Sequence, residues 1–334
     1  MTVDELEDIL SQPADCDCAA LRQIEGDILI LGAGGKMGPS LARLAVRASQ
    51  QAGVPRRIFA VSRFTEPELP RQLAAWGVEP IACDLLDRAQ IDRLPACPNV
   101  LFLAGRKFGS TGNQPLTWAT NVLLPAMAAE HYSGSRIVAL SSGNVYPLAR
   151  TAATEDTPPA PVGEYAQSVL GRERVFEYYS ARDATPVALI RLNYAIDLRY
   201  GVLLDIGHRV FERQPVSVAM GSVNVIWQRD ANSICLRALT LASSPPQILN
   251  VTGRETLSVR WIAERFGEHF GITPIFEGVE AATALLNDSS LCCRLLGAPP
   301  TEPTSMIAMT ADWIRAGGPT HNKPTHFEVR NGAF

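Results

Sequence analysis

Residues 27–53 read DILILGAGGKMGPSLARLAVRASQQAG, and this stretch decides the fold. The unbroken apolar run at 28–31 predicts a strand buried on both faces. Gly32, Gly35 and Gly38 follow three apart, and Leu41, Leu44, Ala45 and Ala48 then recur at helical spacing, so a strand, a tight turn and a helix succeed one another. Glycine at these points lets the chain turn sharply, lets the backbone approach a pyrophosphate and lets the helix pack on the sheet. The N–H groups opening the helix would face the phosphates. A dinucleotide site is therefore expected; an ordinary tight turn is the competing reading of a bare glycine pattern.

The alternation continues outward. RRIFAVSR (56–63), VEPIACD (78–84) and NVLFLAG (99–105) read as the next three strands. They are followed by an apolar-faced helix over 117–132, the strand RIVALSS (136–142), a helix containing GEYAQSVLGRERVFE (163–177) and the strand PVALIRL (186–192). Continuous apolar strands alternating with helices predict an α/β fold with a doubly wound parallel sheet. The expected organisation is an N-terminal extension over 1–26, a Rossmann domain over 27–192 to which the chain returns near 225–253, and a smaller substrate lobe and tail from 193–224 and 254–334. In the extension, Thr2 and Glu5 are spaced as a capping box before Leu6, Ile9 and Leu10, which predicts a short packing helix. The proline-rich TEDTPPAPVGEY (154–165) reads as a loop over the cleft, and APPTEPTS (298–305) as a proline-broken loop. The tail KPTHFEVRNGAF (323–334) either folds over the cleft or pairs with a neighbouring chain.

A chain of 334 residues that is 46% apolar can bury a sizeable core, and its formal charge of −4 contains no long block of either sign. Nucleic acid and an anionic membrane are disfavoured as partners, leaving a small uncharged or weakly charged ligand. No apolar run reaches the roughly 18 residues of a membrane helix, and the acidic N-terminus (Asp4, Glu5, Glu7, Asp8) is unlike a secretory signal, so a cytoplasmic location is expected. The seven cysteines lack zinc-site spacing and read as reduced thiols; His208, His321 and His326 stand alone, and no metal is expected. There are only three lysines, Lys36, Lys107 and Lys323, against 27 arginines.

At the end of the second strand, where an NAD-binding chain usually carries an acidic residue for the ribose, Ser62 and Arg63 stand instead. A carboxylate there would repel a 2′-phosphate and this pair would hold one, so NADP is favoured over NAD. Asp84, ending the third strand beside Leu85, faces the adenine or caps the following helix; the residues leave both open.

To the glycine spacing are added the aspartate of DLLD (84–87), LAG (103–105), Asn121, SSGNVY (141–146), the tyrosine of EYAQS (164–168), RLN (191–193) and NVTG (250–253). In order and spacing these resemble the extended short-chain dehydrogenase/reductase superfamily, in its epimerase/dehydratase-like branch, from residue 27 to about residue 300. The resemblance implies a nicotinamide cofactor held by Gly32, Gly35, Lys36, Met37, Gly38, Ser62, Arg63, Asp84, Leu85, Leu103, Ala104, Gly105, Asn121 and Asn193. It implies that Ser142 hydrogen-bonds the substrate oxygen, that Tyr165 transfers the proton, that Asn121 supports the active-site loop and that Asn144 lines the substrate pocket. It further implies hydride transfer on a sugar-like substrate, and a homodimer formed through the helices 117–132 and 164–180.

Two positions depart from the family's pattern. Val169 stands four residues after Tyr165, where the family carries a lysine. Asn224 stands where relatives that use nucleotide sugars carry an arginine, which counts against such a substrate and leaves Asn224 among the expected substrate contacts. Bringing a tyrosine pKa from near 10 to about 7 takes roughly 4 kcal/mol of preferential phenolate stabilisation, and valine supplies none of it. A neutral phenol can still donate a proton to a carbonyl being reduced. Two cations are candidates for the missing charge. Arg172 lies seven residues on along the same helical face, about 10.5 Å further by rise. Lys107 lies in a loop at the carboxyl edge of the sheet and is also a candidate substrate contact. The expected activity is NAD(P)-dependent hydride transfer of the epimerase/dehydratase or reductase type at a secondary hydroxyl or ketone. The alternative is a binding or sensing protein that keeps the cofactor without the reaction.

Overall fold

A computed structural model describes residues 1–107, 109 and 112–332. Its central sheet contains β1 (Ile28–Leu31), β2 (Ile58–Ser62), β3 (Glu79–Ala82), β4 (Asn99–Phe102), β5 (Arg136–Ser142), β6 (Val187–Leu192) and β7 (Gln247–Val251). All are parallel, in the order β7-β6-β5-β4-β1-β2-β3. The winding direction reverses between β1 and β4, and such a switch point leaves a crevice at the strands' carboxyl ends.

Alternate side chains of each strand feed opposite cores, as the pleat requires. Ile28, Ile30, Ile58 and Ala60 face the helices Gly38–Ala52 and Gln228–Arg237, where Leu41, Leu44, Ala45 and Ala48 are all fully buried. Leu29, Leu31, Phe59, Val61 and Phe102 face Leu124–His131 and Gly163–Asp183. Gly32 is needed at the first turn on two counts: its φ is +86°, and a Cβ there would sit 2.5 Å from the Ala104 nitrogen.

A third core joins Leu6 and Leu10 of the N-terminal helix Val3–Leu10 to Val202 and Ile206, Ile262 and Phe266, and Met306 and Ile307. The capping box forms, with Thr2 Oγ1 accepting from Glu5 N at 3.2 Å and Glu5 Oε2 from Thr2 N at 2.7 Å. Leu6 and Leu10 are fully buried and Ile9 is exposed, so only two of the three apolar positions pack. Glu7 pairs with Arg199 (2.6 Å), which also holds Asp197 (2.5 Å). The extension therefore braces the chain immediately after β6.

Two local expectations are corrected. The helix expected over 117–132 is three pieces, Gln114–Trp118, a wider π turn at Ala119–Leu123, and Leu124–His131. Asn121 lies in that turn, fully buried, with its side chain bonded to Arg106 N and O, Ser168 Oγ and Arg172 Nη2. Those partners reward a register that a regular helix would not give. The loop expected over 298–305 ends early, because Pro303 takes the first helical position, where its missing N–H costs nothing, and opens Pro303–Arg315. Among the described residues no helix is long and apolar enough to cross a membrane.

Candidate active site

A cleft of about 370 Å³ lies at the carboxyl ends of β1, β4, β5 and β6. Gly32, Gly35, Lys36, Met37 and Gly38 form one wall. No side chain caps the start of Gly38–Ala52, which leaves its first-turn N–H groups for an anion, and a Cβ on Gly38 would collide with the Ala33 carbonyl. This cradle fits the pyrophosphate of a dinucleotide. Leu103, Gly105 and Asn193 also line the cleft, while Ala104 packs beneath Gly32 and Asn121 lies one layer behind.

The other expected cofactor contacts lie apart from this cleft. Ser62 Oγ would be 2.5 Å from a Cβ on Gly34, so it abuts the glycine turn, and Arg63 is exposed. The Asp84 carboxylate accepts from Leu86 N at 3.0 Å, Asp87 caps the helix that follows, and Leu85 is buried in the core. Asn224 does not reach the cleft. It is buried, accepting from Asn193 Nδ2 at 2.8 Å and donating to the Asn287 carbonyl at 2.7 Å.

Ser142, Asn144, Tyr165, Arg172 and Lys107 all line the cleft. Ser142 ends β5, and its Oγ accepts from Asn144 N (3.2 Å) and Nδ2 (3.0 Å). The half-buried Tyr165 phenol hydrogen-bonds Ser142; burial pushes its pKa up, opposed by that bond and by the charge of Arg172. Arg172 is 5% exposed, and its guanidinium donates to the Leu140 carbonyl and to Asn121 Oδ1, both at 2.7 Å. Burial draws its pKa down to about 10, so it stays charged at neutral pH. Gly105 makes room for it, since a Cβ there would lie 2.6 Å from Nη2. Val169 is 1% exposed, does not line the cleft, and belongs to an apolar cluster with Val145, Tyr146 and Ala153 against which Tyr165 packs.

A buried network stands directly behind these groups. Glu173 pairs with Arg191 at 2.7 Å and accepts from Ser141; Arg191 donates to the Tyr146 hydroxyl at 2.6 Å, which donates to Asn250 at 2.9 Å. It ties the helix Gly163–Asp183 to β5, β6 and β7 at the residues next to Ser142 and Arg172, fixing their spacing.

Several lining residues carry no local sequence signal. Tyr194 (φ +43°) and Tyr200 come from the segment after β6, and Lys323 and Thr325 from the tail. Thr325 is anchored by Asp205, which accepts from its N (2.8 Å) and Oγ1 (2.5 Å), and its carbonyl accepts from Lys107 Nζ at 3.4 Å. The tail thus covers the cleft, and no residue of 154–164, expected there, lines it. Lys36 Nζ lies 3.3 Å from the Tyr200 ring centroid. Burial, aided by the charges of Lys107 and Lys323, holds its pKa near 7, and burial holds that of Lys107 near 8. Among the described residues no cluster of three His, Cys, Asp or Glu is placed to hold a metal ion.

The chain can be set beside known proteins at this point. MoeE5 in complex with UDP-glucose and NAD matches with a TM-score of 0.71 at 22% identity, over 87% of this chain and 99% of that one. UDP-glucuronic acid 4-epimerase from Bacillus cereus, with UDP-glucuronic acid and NAD, matches at 0.71 and 17%, over 87% and 99%. The Bordetella bronchiseptica enzyme WbmG, with NAD and UDP, matches at 0.71 and 19%, over 90% and 99%. At these identities the structures speak for the fold. No curated protein sequence matches the chain. The NAD dependent epimerase/dehydratase family matches residues 28–195, half of the chain, and takes in the glycine turn, Ser142 and Tyr165. The sheet order and the family match agree: the chain belongs to the NAD dependent epimerase/dehydratase family.

Proposed function

We propose that the protein is an NAD-dependent enzyme that moves hydride at a secondary hydroxyl or ketone of a sugar-like substrate, working best in the reducing direction. The observation that carries this reading is that Ser142, Tyr165 and Arg172 open onto the same cleft as the glycine turn. A nicotinamide cofactor, when bound, would supply the hydride. Ser142 holds the substrate oxygen, Tyr165 gives it a proton, and the Arg172 guanidinium stabilises the phenolate left behind. Because burial raises the phenol's pKa, Tyr165 is protonated at neutral pH and poised as the acid. Asn121 and the Leu140 carbonyl hold Arg172 in place, and Asn144 orients Ser142.

NAD is the cofactor of this proposal. The preference for NADP rested on Ser62 and Arg63 alone, and the relatives MoeE5 and the B. cereus epimerase hold NAD. Exposed Trp118, Leu123 and Tyr178, on the two helical segments expected to pair, make a homodimer part of the same reading.

Titration of the purified protein with NAD(H) and NADP(H), then nicotinamide absorbance against keto-sugars and polyols, tests the proposal. Turnover should fall about 10²- to 10⁴-fold in Tyr165→Phe. Val169 in the lysine's place favours a second reading, a protein that binds the cofactor without reaction; it requires tight NAD binding with no turnover across the panel.

A further inference from the structure

The chain's three lysines come from the glycine turn, the loop after β4 and the C-terminal tail, and all three line one cleft. Taking that cleft as the substrate site, as argued above, we propose that the substrate is a small sugar-like anion whose carboxylate or phosphate is held by Lys36, Lys107 and Lys323. This replaces the uncharged or weakly charged ligand expected from composition.

Charge distribution carries the argument. Among the described lining residues five are basic, the three lysines with Arg106 and Arg172, and none is acidic, in a chain whose net charge is −4. Asp205 and Asp197 attract Lys36, and Asp205 attracts Lys107, but neither carboxylate lines the cleft: Asp205 accepts two hydrogen bonds from Thr325, and Asp197 is paired with Arg199. An anion entering a partly desolvated cleft lined by cations is attracted by all of them at once. Burial is the main cause of the depressed Lys36 pKa, and Lys107 and Lys323 add to it against the attraction of Asp205 and Asp197.

The cofactor's pyrophosphate does not account for the cluster. The helix N-terminus and the glycine turn are built for that group, whereas Lys36 reaches away from the turn to the Tyr200 ring and Lys107 lies two residues from Gly105, against which Arg172 rests. The cations therefore gather at the reacting end. The substrate is small because the tail places Lys323 and Thr325 across the cleft, and because the buried Asn224 occupies the position of the nucleotide-sugar arginine.

Equilibrium binding of hexuronates, hexose 6-phosphates, the matching neutral hexoses and UDP-glucose tests this, with saturating NAD and without cofactor. The protein is compared with Lys107→Gln, Lys323→Gln and Lys323→Arg. Expected is at least about tenfold tighter binding of one anionic class than of neutral hexoses, weakened by salt. Each glutamine variant should cost about tenfold, with partial rescue by arginine and NAD affinity in Lys323→Gln within about twofold. The acid and phosphate arms tell carboxylate from phosphate. Neutral hexoses binding equally well overturns the proposal, as does UDP-glucose binding tightest with no dependence on Lys323, or a loss confined to NAD. Lysine-dependent anion binding without NAD affinity would uphold the anion site and sink the nicotinamide reading. NAD affinity without anion binding would do the reverse.

Discussion

Replacing Arg172 by methionine separates its two burdens, stability and charge. Its pKa falls from 12.5 to about 10, so the fold carries roughly 3 kcal/mol against the charged form, undiluted by solvent at 5% exposure. Against this stand two charged hydrogen bonds, to Leu140 O and Asn121 Oδ1, of about 1.5–3 kcal/mol each. Methionine removes both and relieves the desolvation, so the net loss should be only about 0–3 kcal/mol; Asn121 Oδ1 keeps its bond from Arg106 N. The phenol fares worse. Arg172 is the cation that opposes the rise of the Tyr165 pKa, and its loss should raise that pKa further. Alcohol oxidation at slightly alkaline pH should then slow about 10- to 1000-fold, and carbonyl reduction, which leaves behind the phenolate that Arg172 stabilises, should slow with it. Rate–pH profiles in both directions, with thermal unfolding of each variant, check this. An oxidation profile that does not move, in a variant that remains folded, would refute the assignment of Arg172 as the substitute cation.

Restoring the family's lysine should cost stability: Val169→Lys puts an ammonium among Val145, Tyr146 and Ala153, with Tyr165 packed against them, and should lower the unfolding free energy by several kcal/mol in denaturant unfolding. Glu173→Gln leaves the buried Arg191 charge without its carboxylate and should destabilise by about 3–5 kcal/mol in denaturant unfolding, whereas Glu173→Gln combined with Arg191→Met should recover part of that loss. Anion binding should raise the pKa values of Lys36 and Lys107 from about 7 and about 8, so protons are taken up on binding between about pH 7 and 9; calorimetry in buffers of different ionisation enthalpy measures the uptake. Deleting residues 1–11 strips Leu6 and Leu10 from the third core and breaks the Glu7–Arg199 pair, so Tm should fall.

The sheet was legible because its strands are unbroken apolar runs and its first turn is spelled in glycines. Ser142 and Tyr165 were legible from motifs that lie within a few residues of a strand or helix end. What escaped was decided at long range. The π turn at Asn121 answers to partners on the loop after β4 and on the helix Gly163–Asp183, and its one local sign is Pro125, which has no N–H to give the Asn121 carbonyl four residues back. The tail's contribution depends on Asp205 gripping Thr325, 120 residues apart in sequence. Val169 could be seen as a missing lysine, but only the packing shows that the position faces an apolar cluster. The tail's sequence left open whether Lys323 meets the cleft or a neighbouring chain, and the grip of Asp205 on Thr325 decides it.

The scarcity of lysine has a practical side. Apart from the chain's own N-terminus, every primary amine in the sequence lies in the cleft, and two of the three are held near neutral pKa values that make them nucleophilic at mild pH. Once the N-terminal amine is subtracted, an amine-directed label is thus a reporter of this cleft. Protection of Lys36 and Lys107 from such a reagent would read occupancy of the cleft by any ligand, before its substrate is known.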